Sequence, residues 1–284
     1  MTAEMNGKVC LITGATSGVG RATASDLAEM GATVIGVGRD SIRCAEVSSE
    51  IRKSSGNPSV EFLVADLSNQ DQVRQLVRDF KTRYERLDVL INNAGAFFLR
   101  RKLSPQGIEM TWALNHLNYF LLTNLLLEQI KANAPARIVN VASGAHYRGK
   151  INFDDLNLEL GYNGWKAYCQ SKLANVLFTY ELAERLENQS VTVNCLTPGF
   201  VATNIGHNTG LGLKNLVSLV QKLGGKTPGE GAETITYLAS SLDVIGITGK
   251  FFIEKAAVKS SPISYDQETA HRLWEISELM TQDL

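Results

Sequence analysis

Short apolar runs recur along the chain, separated by longer stretches in which apolar residues return every three or four positions. The runs KVCLIT (8–13), ATVIGVG (32–38), VEFLVA (60–65), LDVLIN (87–92), ARIVNVA (136–142), VTVNCL (191–196) and ITGKFFI (247–253) are mostly continuous in apolar residues. That pattern predicts strands covered on both faces, the condition of a parallel sheet. Helical periodicity near 18–30, 41–54, 70–83, 106–131, 165–188 and 230–241 fills the intervals. Regular alternation predicts an α/β fold: one doubly wound sheet of about seven parallel strands flanked by helices. With no internal repeat, low-complexity stretch or linker, residues 1–284 read as a single domain. The glycine-rich segment at about 199–229 breaks the alternation and carries a short amphipathic run, LKNLVSLVQKL; it is expected to form a substrate flap. A C-terminal tail at about 254–284, containing WEISELM, either covers the fold or meets another subunit, which leaves homo-oligomer formation open.

Composition narrows the function classes. The 284 residues are 44% apolar and 20% charged, the balance of a soluble globular protein. A net charge of −1 supplies no bulk field toward nucleic acid or anionic lipid, so neither is an expected partner. Cys10, Cys44, Cys169 and Cys195 show no metal spacing and are expected as free thiols in a reducing, cytoplasmic compartment. The four histidines, 116, 146, 207 and 271, also lack ligand spacing, and no metal is expected. His116 reads as structural, while His146 has a minor claim to border a substrate pocket. The N-terminus, MTAEMNGKVC, lacks the pattern of a secretory signal. The apolar stretch LNYFLLTNLLL (117–127) is interrupted by polar residues and falls short of the ~20 residues of a membrane span, so no transmembrane anchor is expected.

The first strand runs into TGATSGVG (13–20) and then a helix. Glycines at 14, 18 and 20 allow a tight turn whose backbone N–H groups approach a phosphate, with the helix dipole behind them. Gly14, Thr16, Ser17, Gly18, Val19 and Gly20 are therefore the expected phosphate-binding set of a Rossmann-type dinucleotide fold. At the end of the second strand a carboxylate would accept from the adenosine ribose hydroxyls. Gly38 holds that place here, followed by Arg39, whose guanidinium suits a 2′-phosphate, with Arg21 as a further cation. NADP(H) is expected over NAD(H); a one-residue shift would instead make Asp40 an NAD selector.

The segment AYCQSK (167–172) sets Tyr168 and Lys172 four residues apart, on one face of a helix. An ammonium beside a phenol lowers a pKa that starts near ~10 and makes a usable general acid or base. Ser143 follows the fifth strand, where open α/β sheets place their ligands, and Asn115 is a polar residue in an apolar helix. Each also has a plain structural reading: a chance helical pair, a turn cap and a satisfied core amide.

Taken in order, these motifs resemble the short-chain dehydrogenase/reductase family, in its single-domain subgroup and retinol-dehydrogenase-like branch. TGATSGVG is similar to the family's TGxxxGxG turn, NNAG (92–95) to the turn after its fourth strand, and PGFVAT (198–203) to its PGxVxT segment. NHLNYFLLTNLLL, RIVNVASGAH, AYCQSKLANVLFTYELAERL, ETAHRLWEIS and the wide Ser143-to-Tyr168 gap carry the similarity to the branch. Its anchored members have an N-terminal apolar segment that this sequence lacks.

The resemblance implies hydride transfer at the nicotinamide and a catalytic tetrad of Asn115, Ser143, Tyr168 and Lys172. Tyr168 would move the proton and Ser143 would hold the substrate oxygen. Lys172 would bind the nicotinamide ribose and depress Tyr168, and Asn115 would hold a water leading to Lys172. It implies cofactor contacts from Asp66, Leu67, Asn93, Ala94, Gly95, Pro198, Gly199, Val201 and Thr203. Phe97, Phe98, Leu211, Leu213 and Leu216 are the candidate pocket residues, and their apolar character suits an apolar carbonyl or alcohol. Two other function classes stay open at this point: a cofactor-binding sensor or scaffold without turnover, and a non-redox lyase or epimerase.

Overall fold

The computed structural model describes residues 4–201 and 225–282, to which all structural statements refer. Thr203, Leu211, Leu213, Leu216 and most of the expected flap lie outside these residues. Seven parallel strands form the sheet: β1 Val9–Thr13, β2 Thr33–Gly38, β3 Val60–Val64, β4 Val89–Asn92, β5 Ala136–Val141, β6 Val191–Leu196 and β7 Lys250–Ile253. Their spatial order is β3-β2-β1-β4-β5-β6-β7. An eighth strand, β8 Ala256–Val258, pairs antiparallel with β7. It follows a two-residue turn in which Glu254 and Lys255 both take positive φ. Hairpin turns of that kind usually carry Asn-Gly or Asp-Gly. The Glu-Lys pair carries no such signal, and the hairpin adds a strand to the seven expected.

The helices are α1 Gly18–Glu29, α2 Ser41–Ser55, α3 Gln70–Arg83, α4 Met110–Trp112, α5 Asn118–Ala132, α6 Gly164–Arg185, α7 Pro228–Ser240 and α8 Gln267–Thr281. A π-helical turn, Ala113–Leu117, joins α4 to α5. The helix expected from residue 106 starts at Met110, because Leu103 and Glu109 first form a β-bridge. Glu109 then caps the helix, accepting from Thr111 N at 3.0 Å and Trp112 N at 2.8 Å.

Two apolar layers enclose the sheet. Leu27, Val47, Ile51, Ile235 and Leu238 bring α1, α2 and α7 onto one face. Leu76, Phe80, Leu122, Leu126, Phe178 and Leu182 bring α3, α5 and α6 onto the other. The tail covers the fold through α8. Trp274 packs edge-on against Phe120 at 4.9 Å and stacks on Phe178 at 5.8 Å, while the Arg185 guanidinium lies 4.1 Å over its ring.

The chain winds outward from β1 to β3, then returns to the other side of β1 at β4. Reversal there opens a crevice at the C-terminal ends of the strands, the usual ligand site of such sheets.

Candidate active site

The turn after β1 is built for close approach. Gly14 and Gly18 have positive φ, and a Cβ on Gly20 would lie 2.4 Å from Gly14 O. α1 begins at Gly18 with no acidic residue in its first turn, which leaves the dipole's positive end available to an anion. The turn is stitched to the loop after β4. Thr13 Oγ1 accepts from Asn93 N at 2.8 Å and Ala94 N at 3.0 Å, and Asn93 Nδ2 donates to Thr13 O at 2.8 Å. A Cβ on Gly14 would lie 2.9 Å from Ala94 Cα, so the two loops pack backbone to backbone. These residues fit a dinucleotide phosphate: glycines at 14, 18 and 20 let the backbone approach closely, and a helix N-terminus follows.

The end of β2 distinguishes among the cationic candidates. Arg39 is exposed just beyond Gly38. A Cβ on Gly38 would lie 2.4 Å from Thr16 Cγ2 and 2.8 Å from Cys44 Sγ, so the strand end has little room for a carboxylate side chain. Asp40 caps α2, accepting from Arg43 N at 2.9 Å, which gives its carboxylate a structural role. Arg21, expected as a further phosphate cation, instead pairs with Glu50 at 2.8 Å. After β3, Asp66 Oδ1 accepts from Ser68 N and Oγ and shapes the turn, while Leu67 is buried.

The four tetrad candidates come together at the ends of β4, β5 and α6. Ser143 lies just beyond β5 and caps a short 3-10 turn, accepting from Ala145 N at 3.2 Å. Its hydroxyl lies close enough to the Tyr168 phenol to favour the phenolate. Lys172, one turn along α6 from Tyr168, sends its Nζ to Val141 O at 2.9 Å and lies 5.8 Å from the Tyr168 ring centroid. Asn115 sits in the π-helical turn, a feature often found at functional sites. Its Oδ1 accepts from Ala96 N at 2.8 Å, and its Nδ2 donates to Ala96 O at 3.0 Å and Ser171 Oγ at 3.1 Å. The amide is thus committed to protein groups, and the main-chain carbonyl accepts from Asn175 Nδ2 at 2.9 Å. Gly95 lies between two of the four: its Cβ would be 3.3 Å from Asn115 Oδ1 and 3.4 Å from Lys172 Nζ.

The electrostatics of the protein groups run opposite to the expected depression of Tyr168. Burial pushes the Tyr168 phenol above its ordinary value, opposed by the Ser143 hydroxyl. Burial also pulls Lys172 down to about 7. An i,i+4 pair fixes proximity, but both groups are desolvated together, which favours the neutral lysine as well as the neutral phenol.

The pocket wall differs in detail from expectation. Phe97 meets the Tyr168 ring edge-on at 5.9 Å, whereas Phe98 is 6% exposed and packs inward. Trp165, missed in the sequence, stacks on Tyr168 at 6.1 Å and is 48% exposed. Its position one helical turn before Tyr168 was the available signal. His146 is buried rather than pocket-lining: its Nδ1 lies 2.7 Å from Ser143 O, and its Nε2 accepts from Ser261 N at 3.1 Å. Thr197 Oγ1 accepts from Gly144 N at 3.3 Å and Gly199 N at 3.2 Å, joining the Ser143 turn to the Pro198-Gly199 segment. A cleft of about 720 Å³ lies elsewhere, lined by Asp26, Glu29, Glu233 and Asp243 among others; none of the site residues borders it.

Comparison with known proteins adds independent findings. A family model described as short chain dehydrogenase matches residues 8–213. Human retinol dehydrogenase 14 is 46% identical, over 97% of this chain and 87% of its own length. The crystal structure of an uncharacterised protein from Mycobacterium paratuberculosis superposes with a TM-score of 0.79 at 32% identity, covering 99% of this chain and 95% of that one. The crystal structure of a short chain dehydrogenase from Escherichia coli CFT073, complexed with NADPH, gives a TM-score of 0.69 at 25% identity, covering 89% and 99%.

Proposed function

The chain is an oxidoreductase of the short-chain dehydrogenase family, and from that premise we propose that it interconverts an apolar carbonyl compound and its alcohol with NADP(H) as the preferred cofactor. The observation carrying this reading is the convergence of Ser143, Tyr168 and Lys172 beside the glycine-rich turn after β1. When bound, the nicotinamide supplies or accepts the hydride. Tyr168 transfers the proton at the substrate oxygen and Ser143 holds that oxygen by a hydrogen bond. Lys172, with one donor on Val141 O, has two more directions free for the hydroxyls of a ribose. Asn115 braces the loop at Ala96 and, through Ser171, the first turns of α6.

Preference for NADP(H) rests on the exposed Arg39, the crowded Gly38 and the capping role of Asp40. With NADPH, carbonyl reduction is the proposed direction. The apolar substrate class rests on Phe97 and Trp165 about the phenol, and on the name of the human relative, whose alcohol, retinol, is apolar. The cytoplasm is the proposed compartment, from four free cysteines. Among the described residues no helix is long and apolar enough to cross a membrane.

The test is a panel of apolar aldehydes, ketones and alcohols, retinal among them, followed by NADPH and NADH absorbance. Tyr168→Phe is expected to abolish turnover and leave NADPH binding intact. Full residual activity in that variant would refute the assignment, and net NADPH consumption by the wild type separates a reductase from a sensor or a lyase.

A further inference from the structure

Behind the Asn115 turn lies a buried polar chain that reaches the C-terminal helix. Widening a helix to a π turn disturbs its regular ladder of hydrogen bonds. Two carbonyls of this turn accept from side-chain amides: Leu114 O from Asn118 Nδ2 at 3.3 Å and Asn115 O from Asn175 Nδ2 at 2.9 Å. Asn175 belongs to α6, the helix that carries Tyr168 and Lys172, and is fully buried. Its amide is oriented from behind. His116 Nδ1 lies 3.4 Å from Asn175 Oδ1, and His116 Nε2 lies 2.9 Å from Ser277 Oγ of α8.

One tautomer lets the ring serve both partners. With Asn175 Nδ2 engaged by Asn115 O, its Oδ1 faces the ring as an acceptor, so Nδ1 carries the proton. Nε2 then accepts from the Ser277 hydroxyl, in competition with Leu273 O at 2.7 Å. The imidazole is neutral, since burial pulls its pKa down to about 3. Trp112 packs at 4.6 Å from the ring and holds its plane. At 3.4 Å the contact to Asn175 is long for a hydrogen bond, so it orients the amide more than it adds stability.

We infer that His116, held by Ser277, is a positioning residue that locks Asn115 through Asn175 and so makes the C-terminal helix part of the active-site support. The consequence follows from what Asn115 touches. Its amide holds Ala96 and Ser171, and Ser171 Oγ donates to the Tyr168 carbonyl at 2.9 Å. An Asn175 amide free to rotate releases the turn and shifts these contacts together. The inference rests on the catalytic reading of the tetrad given above.

The experiment compares His116→Leu, His116→Asn and Ser277→Ala with Asn115→Ala, using the fastest carbonyl of the panel and NADPH, well below each variant's Tm. Small displacements at a reacting centre are costly, so His116→Leu is expected to lower kcat roughly tenfold, with KM for NADPH changed less than about threefold. His116→Asn, which keeps a donor near the Nδ1 position, is expected to recover most of that loss. Ser277→Ala should fall between, and it carries the test by its kcat if His116→Leu does not fold. Loss of Tm with kcat intact, or equal impairment by Leu and Asn, overturns the inference. If Asn115→Ala itself retains full kcat, the tetrad reading fails; if Asn115→Ala is impaired and His116→Leu is not, the positioning role alone fails.

Discussion

Lys172→Met in the cofactor-free protein tests how the site treats charge. The Lys172 side chain is 3% exposed, and its surroundings are one carbonyl at 2.9 Å and two tyrosine rings at 5.7 and 5.8 Å. Burial takes the ammonium from 10.5 in the unfolded chain to about 7 in the folded one. At about 1.36 kcal/mol per pH unit, that is roughly 5 kcal/mol against the charged form. The sign follows from proton counting. Between pH 7 and 10.5 the unfolded chain holds the lysine proton and the folded chain releases it, so this group makes stability rise with pH. The full cost is present below the folded value and fades toward the unfolded one.

Methionine has similar length and no charge. Lys172→Met should therefore be the more stable protein near neutrality, and its advantage should shrink by about 3 kcal/mol between pH ~6.5 and ~9.5. The lost hydrogen bond to Val141 O offsets about 1 kcal/mol at every pH, so the slope is diagnostic rather than the intercept. Tyr168, pushed upward, stays neutral over this range, and other groups cancel between the two proteins. Urea unfolding followed by tryptophan fluorescence at four pH values measures the gap. Parallel stability curves would show that the Lys172 ammonium is not destabilised by burial, and the account of the site's electrostatics would fall with it.

Arg39→Ala is expected to weaken NADPH at least tenfold more than NADH in titrations of bound-nucleotide fluorescence, the loss of a charge-assisted phosphate contact; equal weakening would remove Arg39 from cofactor selection. Asp40→Ala should leave that ratio unchanged and cost about 1 kcal/mol in urea unfolding, as expected for a lost N-cap. Gly164→Ala places a Cβ 2.2 Å from Phe98 O, a backbone atom, and should cost roughly 1–3 kcal/mol and reduce kcat/KM as α6 shifts at its start; an unperturbed Tm would contradict that packing. Trp165→Ala should raise KM for apolar carbonyls severalfold with NADPH affinity unchanged, since the ring meets Tyr168 and solvent; an unchanged KM would remove Trp165 from the substrate wall.

The sheet was legible because its physics is local. A strand covered on both faces must be apolar throughout, and each of the seven parallel strands falls inside such a run. The phosphate turn was legible for a related reason: backbone approach demands glycine at fixed places along the chain, and Gly14 and Gly20 sit where a Cβ has no room. Features depending on partners distant in sequence were hidden. β8 is three exposed residues after a turn without turn chemistry, so neither composition nor periodicity marks it. His116 read as an ordinary core histidine because its meaning depends on Ser277, 161 residues away, and on Asn175, 59 residues away. The same limit applies to the charge state about Tyr168. Spacing on a helix establishes that a phenol and an ammonium are neighbours, but burial decides whether the ammonium is charged, and burial is a property of the whole fold. Here α5 supplies the second phenol ring beside Lys172, and β5 supplies its carbonyl. Hydroxyl groups accepting from the two free directions of Nζ would favour the ammonium, and only then would Lys172 lower Tyr168. If the proton-transfer state of the tetrad is completed by the cofactor, uptake of a proton from buffer on adding NADP near pH 7–8, measured by calorimetry in buffers of different ionisation heat, is the expected sign of it. Nucleotide binding with no proton uptake over that range would mean the ammonium is already in place, and the tetrad charged before the cofactor arrives.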